Sequence, residues 1–192
     1  MITKDQHKKL ISKFKGKVYQ KVSPRVRERL SWEANMAPLL KNKRVLEIGC
    51  NAGIQAIEFS KHVEQYYGIE KKEIYYNQAI ITKKEFKLKN VEFVRMAVED
   101  FALTHNINAI VLSRVLYHLS QHEIEILIKA NILLQCDIAL IFCGSKPKGD
   151  RDHNNYKFHK PKNVAKFFKD VGMDFEINLV HDRYFAGVAT RG

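Results

Sequence analysis

A short apolar run that ends in two closely spaced glycines most constrains the fold of this chain. Residues 45–48 read Val-Leu-Glu-Ile, which is typical of a buried β-strand, and Gly-Cys-Asn-Ala-Gly follows over residues 49–53. Gly49 permits a tight turn and the close approach of a ligand, and Gly53 lets a helix begin near the strand. Asn51 lies between them, and asparagine tolerates a left-handed backbone better than most residues. The pattern predicts a ligand-binding turn at the carboxyl end of a strand.

Segments of strand type alternate with segments of helical periodicity along most of the chain. This alternation predicts a parallel sheet with helices on both faces. The last two strand-type segments are joined by a short turn at residues 181–183, which predicts a terminal β-hairpin. We therefore expect a doubly wound, mostly parallel, seven-stranded α/β sheet with an antiparallel last strand. The predicted strands are 44–48, 64–69, 91–95, 109–113, 137–143, 174–180 and 184–190, and the predicted helices between them are 54–62, 73–89, 123–134 and 161–171.

The first forty residues have a different pattern. Residues 1–22 combine lysines with apolar residues at helical spacing, interrupted at Gly16. Ser23 and Pro24 then favour the start of a second helix over residues 25–40, and Pro38 is expected to disturb its last turn. We expect an N-terminal helical extension over residues 1–40 and one ligand-binding domain over residues 41–192.

Charge is the unusual part of the composition. The 192 residues include 33 Lys and Arg against 21 Asp and Glu, a formal net charge of +12. A positive field attracts polyanions such as nucleic acid. Lysines that are merely spread over a solvated surface would give the same net charge without any such partner. The chain has three cysteines, no long apolar run and no apolar segment near Met1 of the kind found in secretory signals. These features predict a cytoplasmic protein with no membrane contact.

The glycine turn resembles the first motif of the class I S-adenosylmethionine-dependent methyltransferases, E/D-x-G-x-G-x-G. Here that motif reads Glu47-Ile-Gly49-Cys-Asn51-Ala-Gly53, and the resemblance extends over roughly residues 40–192. It implies the class I methyltransferase fold and S-adenosylmethionine as the cofactor. It also implies that Glu47, Gly49, Cys50, Asn51 and Gly53 lie at the methionine and sulfonium end of that cofactor.

Further segments occur in the order of the same family. Glu70 ends the second predicted strand, where the family's ribose-binding acid stands. The third motif matches at residues 94–101 and implies that Val98 and Glu99 border the adenine. Ala97 stands where many relatives have an aspartate, which leaves the adenine contact to Val98, Glu99 or Asp100.

The fourth motif matches at residues 109–118 and implies that Ser113 lies under the methyl donor. Arg114, Tyr117 and His118 follow directly. Methyl transfer requires an in-line acceptor and, when the acceptor is protonated, a general base. An imidazole suits that role, so His118, Tyr117 and Arg114 are the catalytic candidates. A purely structural role for His118 remains open at this point.

Motifs of several methyltransferase subclasses are missing from the sequence. There is no Asn-Pro-Pro-Tyr after the fourth strand and no Pro-Cys pair, which argues against amino-methylating DNA enzymes and 5-methylpyrimidine enzymes. The histidines at positions 153, 159 and 181 are scattered, and no Cys and His spacing is typical of zinc. We therefore predict no metal.

Residues 144–160 form a long polar segment that predicts a binding loop or lid. The candidate substrate-binding residues, from this segment, the hairpin turn and the N-terminal helix, are Arg151, His153, Tyr156, Arg183 and Trp32. RNA is narrowly preferred as the methyl acceptor because of the net charge. A small metabolite, anionic ones included, is the alternative, and a non-catalytic methyltransferase-like binding subunit is a third. The sequence gives no indication of the oligomeric state.

Overall fold

The computed structural model describes residues 3–13, 24–101, 106–129, 132–144, 156–181 and 184–192. In these ranges the strands are β1 (Arg44–Ile48), β2 (Gln65–Ile69), β3 (Val91–Val94), β4 (Ala109–Ser113), β5 (Ile138–Gly144), β6 (Asp174–His181) and β7 (Tyr184–Thr190). The helices are α1 (Lys4–Lys13), α2 (Pro24–Met36), α3 (Ala56–Phe59), α4 (Glu73–Phe86), α5 (Gln121–Lys129), α6 (Ile132–Gln135) and α7 (Pro161–Asp170).

The seven strands of the described ranges form one sheet in the order β3-β2-β1-β4-β5-β7-β6. The pairs β1–β2, β2–β3 and β4–β5 are parallel, and β7 is antiparallel to both β5 and β6. The predicted mostly parallel, seven-stranded sheet with an antiparallel last strand is therefore confirmed. Since the carboxyl ends of parallel strands meet at one edge, the turns after β1 and β2 lie side by side, as do those after β4 and β5.

Apolar composition explains which strands lie deepest. All five residues of β4 and all seven of β5 are buried, as expected of strands covered on both faces. β3 alternates between buried and more exposed residues, because it is an edge strand. The buried strands provide a rigid support for the turns at their carboxyl ends.

Three predicted helices differ in extent in the structure. The helix predicted over residues 73–89 ends at Phe86, because Lys87 has a left-handed backbone with a φ of 51°. The prediction for residues 54–62 is wrong in extent, because only Ala56–Phe59 is α-helical. The flanking residues form tight turns with bonds to the third residue back, such as Lys61 N–H to the Glu58 carbonyl at 3.1 Å.

The helix predicted over residues 123–134 begins earlier than expected. Ser120 Oγ accepts the N–H of Glu123 at 3.1 Å, and Glu123 Oε2 accepts the N–H of Ser120 at 2.6 Å. This capping box starts α5 at Gln121. Ile132–Gln135 is also helical, and residues 130–131 lie outside the described ranges.

At the N-terminus, α1 and α2 are followed by a 3₁₀ turn, Ala37–Leu40, which contains Pro38 as expected of a disturbed last turn. The chain divides into two compact units, residues 1–97 and 98–192. The predicted boundary after residue 40 stays a prediction. None of the helices in the described ranges has the length and apolar character that a membrane span requires.

Candidate functional site

The turn after β1 has the left-handed backbone that its sequence predicts. The φ angles are 68° at Gly49, 52° at Asn51 and 67° at Gly53. The N–H groups of Gly49 and Cys50 both donate to the Ile69 carbonyl, at 2.9 and 3.0 Å, which joins the turn to the end of β2. Asn51 stabilises its own strained backbone, because its Oδ1 accepts the next N–H, that of Ala52, at 2.8 Å.

Glu70 lies at the carboxyl end of β2, and its carboxylate is held on both oxygens. Oε2 accepts the N–H of Asn51 at 3.1 Å, and Oε1 accepts the N–H of Lys72 at 2.8 Å. The side chain is only 7% exposed. Each carboxylate oxygen can accept more than one hydrogen bond, so both oxygens can still accept one from a hydroxyl group. The two hydroxyl groups of the ribose, which the resemblance implies as the ligand here, are donors of this kind.

The ring of Phe93 on β3 explains a glycine that the sequence argument did not use. A Cβ on Gly68 would lie 2.7 Å from Phe93 Cδ1 and 3.0 Å from the Cβ of Cys50, and a Cβ on Gly53 would also clash with that ring. Gly53 and Gly68 therefore leave the space that Phe93 fills. No local sequence pattern indicates this, since the three residues belong to different elements.

Thr82 on α4 supports the same turn from outside it. Its buried hydroxyl lies 2.7 Å from the carbonyl oxygen of Ala52 and 3.1 Å from that of Gln78, within hydrogen-bonding distance of both. Sequence reasoning missed this contact, which needs the packing of α4 to be known.

Glu47 and Cys50 are buried beside this turn. The hydroxyl of Tyr66 donates to Glu47 Oε2. Burial raises the pKa of the Cys50 thiol, and the nearby charges of Glu47 and Glu70 raise it further. The thiol is therefore neutral near pH 7 and provides contact surface rather than a nucleophile.

In the second unit, Arg114 and Tyr117 organise the turn after β4. Arg114 has a left-handed backbone, with a φ of 59°, and its N–H donates to the Phe142 carbonyl at 2.6 Å. Its Nε donates to the hydroxyl oxygen of Tyr117 at 3.1 Å. Tyr117 is 1% exposed, and the rings of His118 and His159 both lie 4.5 Å from its ring, centroid to centroid.

His159 belongs to this cluster but was not among the predicted site residues. Its Nδ1 hydrogen-bonds to the Gly144 carbonyl at the end of β5, and since a carbonyl only accepts, Nδ1 carries the proton. Its ring is stacked on Tyr117 with an interplanar angle of 26°. Neither its spacing nor its neighbours in the sequence could have indicated this. By contrast, the side chain of His118 is exposed.

The other predicted residues have varied placements. Ser113 and Val98 are buried, and Glu99 is exposed in a 3₁₀ turn over Val98–Asp100. Trp32 is 7% exposed on α2. Arg151, His153 and Arg183 lie outside the described residues, as does the side chain of Tyr156. The roles assigned to all of these stay predictions.

The comparisons with known proteins agree with this geometry. Residues 45–134, which begin in β1 and end in α6, match the family model described as a methyltransferase domain. The match covers 90 of the 192 residues and supports the predicted class I S-adenosylmethionine-dependent methyltransferase. It supports methyl transfer as the type of reaction and S-adenosylmethionine as the cofactor that the sequence predicts. No curated protein sequence matches the chain.

Solved structures share the fold of this chain at low sequence identity. Magnesium protoporphyrin IX methyltransferase from Synechocystis PCC 6803, with bound SAH, is 13% identical, with 97% of this chain and 94% of that chain covered and a TM-score of 0.69. A SAM-dependent methyltransferase from Aquifex aeolicus is 20% identical, with 90% and 100% covered and a TM-score of 0.61. The YcgJ protein from Bacillus subtilis is 18% identical, with 80% and 71% covered and a TM-score of 0.64.

The residues of the first unit fit the cofactor of this family. The left-handed turn of residues 49–53 brings backbone N–H groups and small side chains together, and the oriented carboxylate of Glu70 stands next to it. Within the described ranges no cluster of three or more His, Cys, Asp or Glu side chains suits a metal ion. That no metal takes part stays a prediction.

Proposed function

We propose that this methyltransferase transfers the methyl group of S-adenosylmethionine to RNA. The observation that carries the proposal is the formal net charge of +12. The phosphate backbone is the dominant source of affinity between a basic protein and a nucleic acid. A small neutral acceptor would bind without a strongly positive protein surface, so it does not explain this net charge.

Exposed cations next to Glu70 support the proposal. Lys71 and Lys72 follow Glu70 directly, and both are exposed. The Lys72 ammonium lies 5.7 Å from the ring centre of Tyr75. Arg95, at the end of β3, is exposed and lies 2.9 Å from Glu73, an exposed ion pair that water and phosphate readily replace. Lysine, arginine and tyrosine side chains are those with which proteins contact phosphates and stack bases.

The chemistry demands little of the protein. The cofactor, when bound, supplies an electrophilic methyl group on a sulfonium, so the protein has to orient the acceptor and remove its proton where it carries one. We assign proton removal to His118, whose imidazole is exposed beside Tyr117. Arg114 and Tyr117 hold one another through their hydrogen bond and shape the turn that carries His118.

A small metabolite is the second candidate acceptor. The observation that favours it is the group of three stacked or tilted rings, those of Tyr117, His118 and His159. Aromatic walls with a few fixed polar atoms are typical of sites for small molecules. An acceptor of this class would make the net charge incidental.

Methyl transfer from labelled S-adenosylmethionine into an extract of the source cell tests the proposal. Parallel reactions use extract treated beforehand with ribonuclease, with deoxyribonuclease or with neither. If the label is lost from the extract treated with ribonuclease and kept in the extract treated with deoxyribonuclease, RNA is supported as the acceptor. Label that survives both nucleases in the small-molecule fraction contradicts RNA and supports the metabolite. If no fraction is labelled by a protein that still binds the cofactor, the chain acts as a non-catalytic subunit.

The contribution of the positive charge to RNA binding can be tested separately. RNA affinity measured over a range of salt concentrations should fall steeply, because binding releases counterions. The variant Lys71→Glu/Lys72→Glu should weaken binding and reduce the salt slope, whereas Lys162→Glu, an exposed charge reversal on α7, should change it less. RNA binding that is absent or independent of salt would contradict the proposal.

A further inference from the structure

A buried tyrosine and a buried glutamate form a pair in the first unit. Glu47 on β1 and Tyr66 on β2 are both fully buried, and the Tyr66 hydroxyl donates to Glu47 Oε2. In the strand register Tyr66 lies opposite Val45 and Glu47 opposite Gly68, so the two side chains share one face of the sheet as diagonal neighbours. Gly68 has no side chain to separate them.

The surroundings of this pair make an ionised carboxylate costly. The ring of Tyr66 packs on Phe59 and Phe93, with centroids 6.1 and 6.4 Å away, and both rings are apolar. Among the described residues, the titratable groups that act on the tyrosine are acidic or neutral: Glu47 itself, the Cys50 thiol after β1 and Glu33, which is buried on α2. A carboxylate in such a place needs a hydrogen-bond donor to remain charged.

The phenol of Tyr66 is a dependable donor. Burial raises its pKa, and the charge of Glu47 raises it further, so it keeps its proton at any pH used in an assay. A hydrogen bond from a protonated phenol favours the charged form of the carboxylate that accepts it. Tyr66 therefore holds one oxygen of Glu47 and favours the charged form of its carboxyl group.

We propose that Tyr66 is a positioning residue for the cofactor, and that it acts by keeping the Glu47 carboxylate ionised and oriented for the ammonium group of the methionine part. The family resemblance gives no role to Tyr66. The proposal rests on S-adenosylmethionine as the cofactor and does not depend on RNA as the acceptor. Cofactor binding can be measured without any acceptor, so these measurements can contradict the role of Tyr66 without bearing on RNA as the acceptor.

The test compares Tyr66→Phe with Tyr67→Phe. Tyr67 is the next residue on β2, and its hydroxyl oxygen accepts a hydrogen bond from the Arg44 guanidinium at 3.0 Å. The variant Tyr67→Phe therefore also loses one hydroxyl contact. The affinity for S-adenosylhomocysteine is measured by calorimetry between pH 5.5 and 7.5, as the ratio of variant to parent at each pH. We expect Tyr66→Phe to bind about tenfold more weakly at the acid end, the cost of losing a charge-assisted hydrogen bond.

The expected sign of the pH effect follows from the lost donor. In Tyr66→Phe the carboxylate of Glu47 takes up a proton at a higher pH than in the parent, so the deficit shrinks as the pH rises. Tyr67→Phe should follow the parent at every pH. A Tyr66→Phe variant that matches the parent throughout, or whose deficit does not depend on pH, would overturn the proposal.

A second ligand separates positioning from general damage to the fold. 5′-Methylthioadenosine lacks the amino acid part, so Tyr66→Phe should bind it as the parent does, within about twofold. Equal weakening for both ligands would overturn the proposal.

Should Tyr66→Phe not fold, Glu47→Gln gives an independent test, since its amide oxygen still accepts from Tyr66. Its affinity for S-adenosylhomocysteine should be lower and independent of pH, and unchanged affinity would overturn the proposal.

Discussion

The backbone N–H of Asn51 donates to Oε2 of Glu70 over 3.1 Å, so one carboxylate joins the glycine turn to the end of β2. The same carboxylate accepts from Lys72 through its other oxygen. The residue assigned to the ribose thus also holds the turn assigned to the methionine end. Loss of its charge should therefore affect two parts of the cofactor site together.

We predict that Glu70→Ala weakens binding of S-adenosylhomocysteine by about 1–3 kcal/mol, the usual cost of removing hydrogen bonds to a charged group. Glu70→Gln should fall between Ala and the parent, because the amide oxygen still accepts one N–H. Glu92→Gln, an exposed carboxylate on β3, is the matched control and should bind as the parent does. Calorimetry checks all three, and unchanged affinity in Glu70→Ala would show that Glu70 does not bind the cofactor.

Gly53→Ala should lower both stability and cofactor affinity. The residue has a φ of 67°, where a side chain costs about 1–2 kcal/mol, and its Cβ would meet the ring of Phe93. Gly192→Ala is the control, since a Cβ there meets nothing within 4 Å. Urea denaturation measures the difference. A variant as stable as the parent would mean that the turn relaxes and that Gly53 is not required by packing.

His118→Gln should lower kcat by about 100-fold if His118 removes the acceptor proton, since general base catalysis contributes at least that much. The acid limb of the pH–rate profile should disappear with it, whereas the affinity for the cofactor should not change. His122→Gln, an exposed histidine on α5, is the control. A profile that keeps its acid limb in His118→Gln would assign the histidine a structural role.

Stability should fall as the pH rises above about 9. Burial raises the pKa of the Cys143 thiol, and burial with the charges of Glu47 and Glu70 raises that of Cys50, each from an ordinary value of 9.0. Above that value the unfolded chain ionises its thiols while the folded protein does not, so unfolding becomes easier. Between pH 8 and 10 the two groups together should lower the free energy of unfolding by about 3 kcal/mol.

Urea denaturation at several pH values measures this slope. Cys143→Ala should remove about half of the contribution of the two thiols, even if the variant is less stable at pH 8. A slope that the substitution leaves unchanged would show that other groups cause the loss of stability at high pH.

Much of the fold could be predicted because its determinants are local or periodic. The apolar runs of β4 and β7 predict the strand bounds that are observed. The left-handed turn follows from Gly49, Asn51 and Gly53, whose backbone preferences do not depend on distant residues. The extent of α3 was wrong, because helical periodicity does not reveal where tight turns replace α-helical bonds.

The sequence by itself indicated a methyltransferase and determined the order of strands and helices, with the turn and the acid at the ends of β1 and β2. Tertiary structure alone decided the contacts that hold that site: Phe93 in the space left by Gly53 and Gly68, and Tyr66 on Glu47. It also decided the stacking of His159 on Tyr117. The physical reason is that these residues are far apart in the chain, so only the register of strands and the packing of helices brings their side chains together.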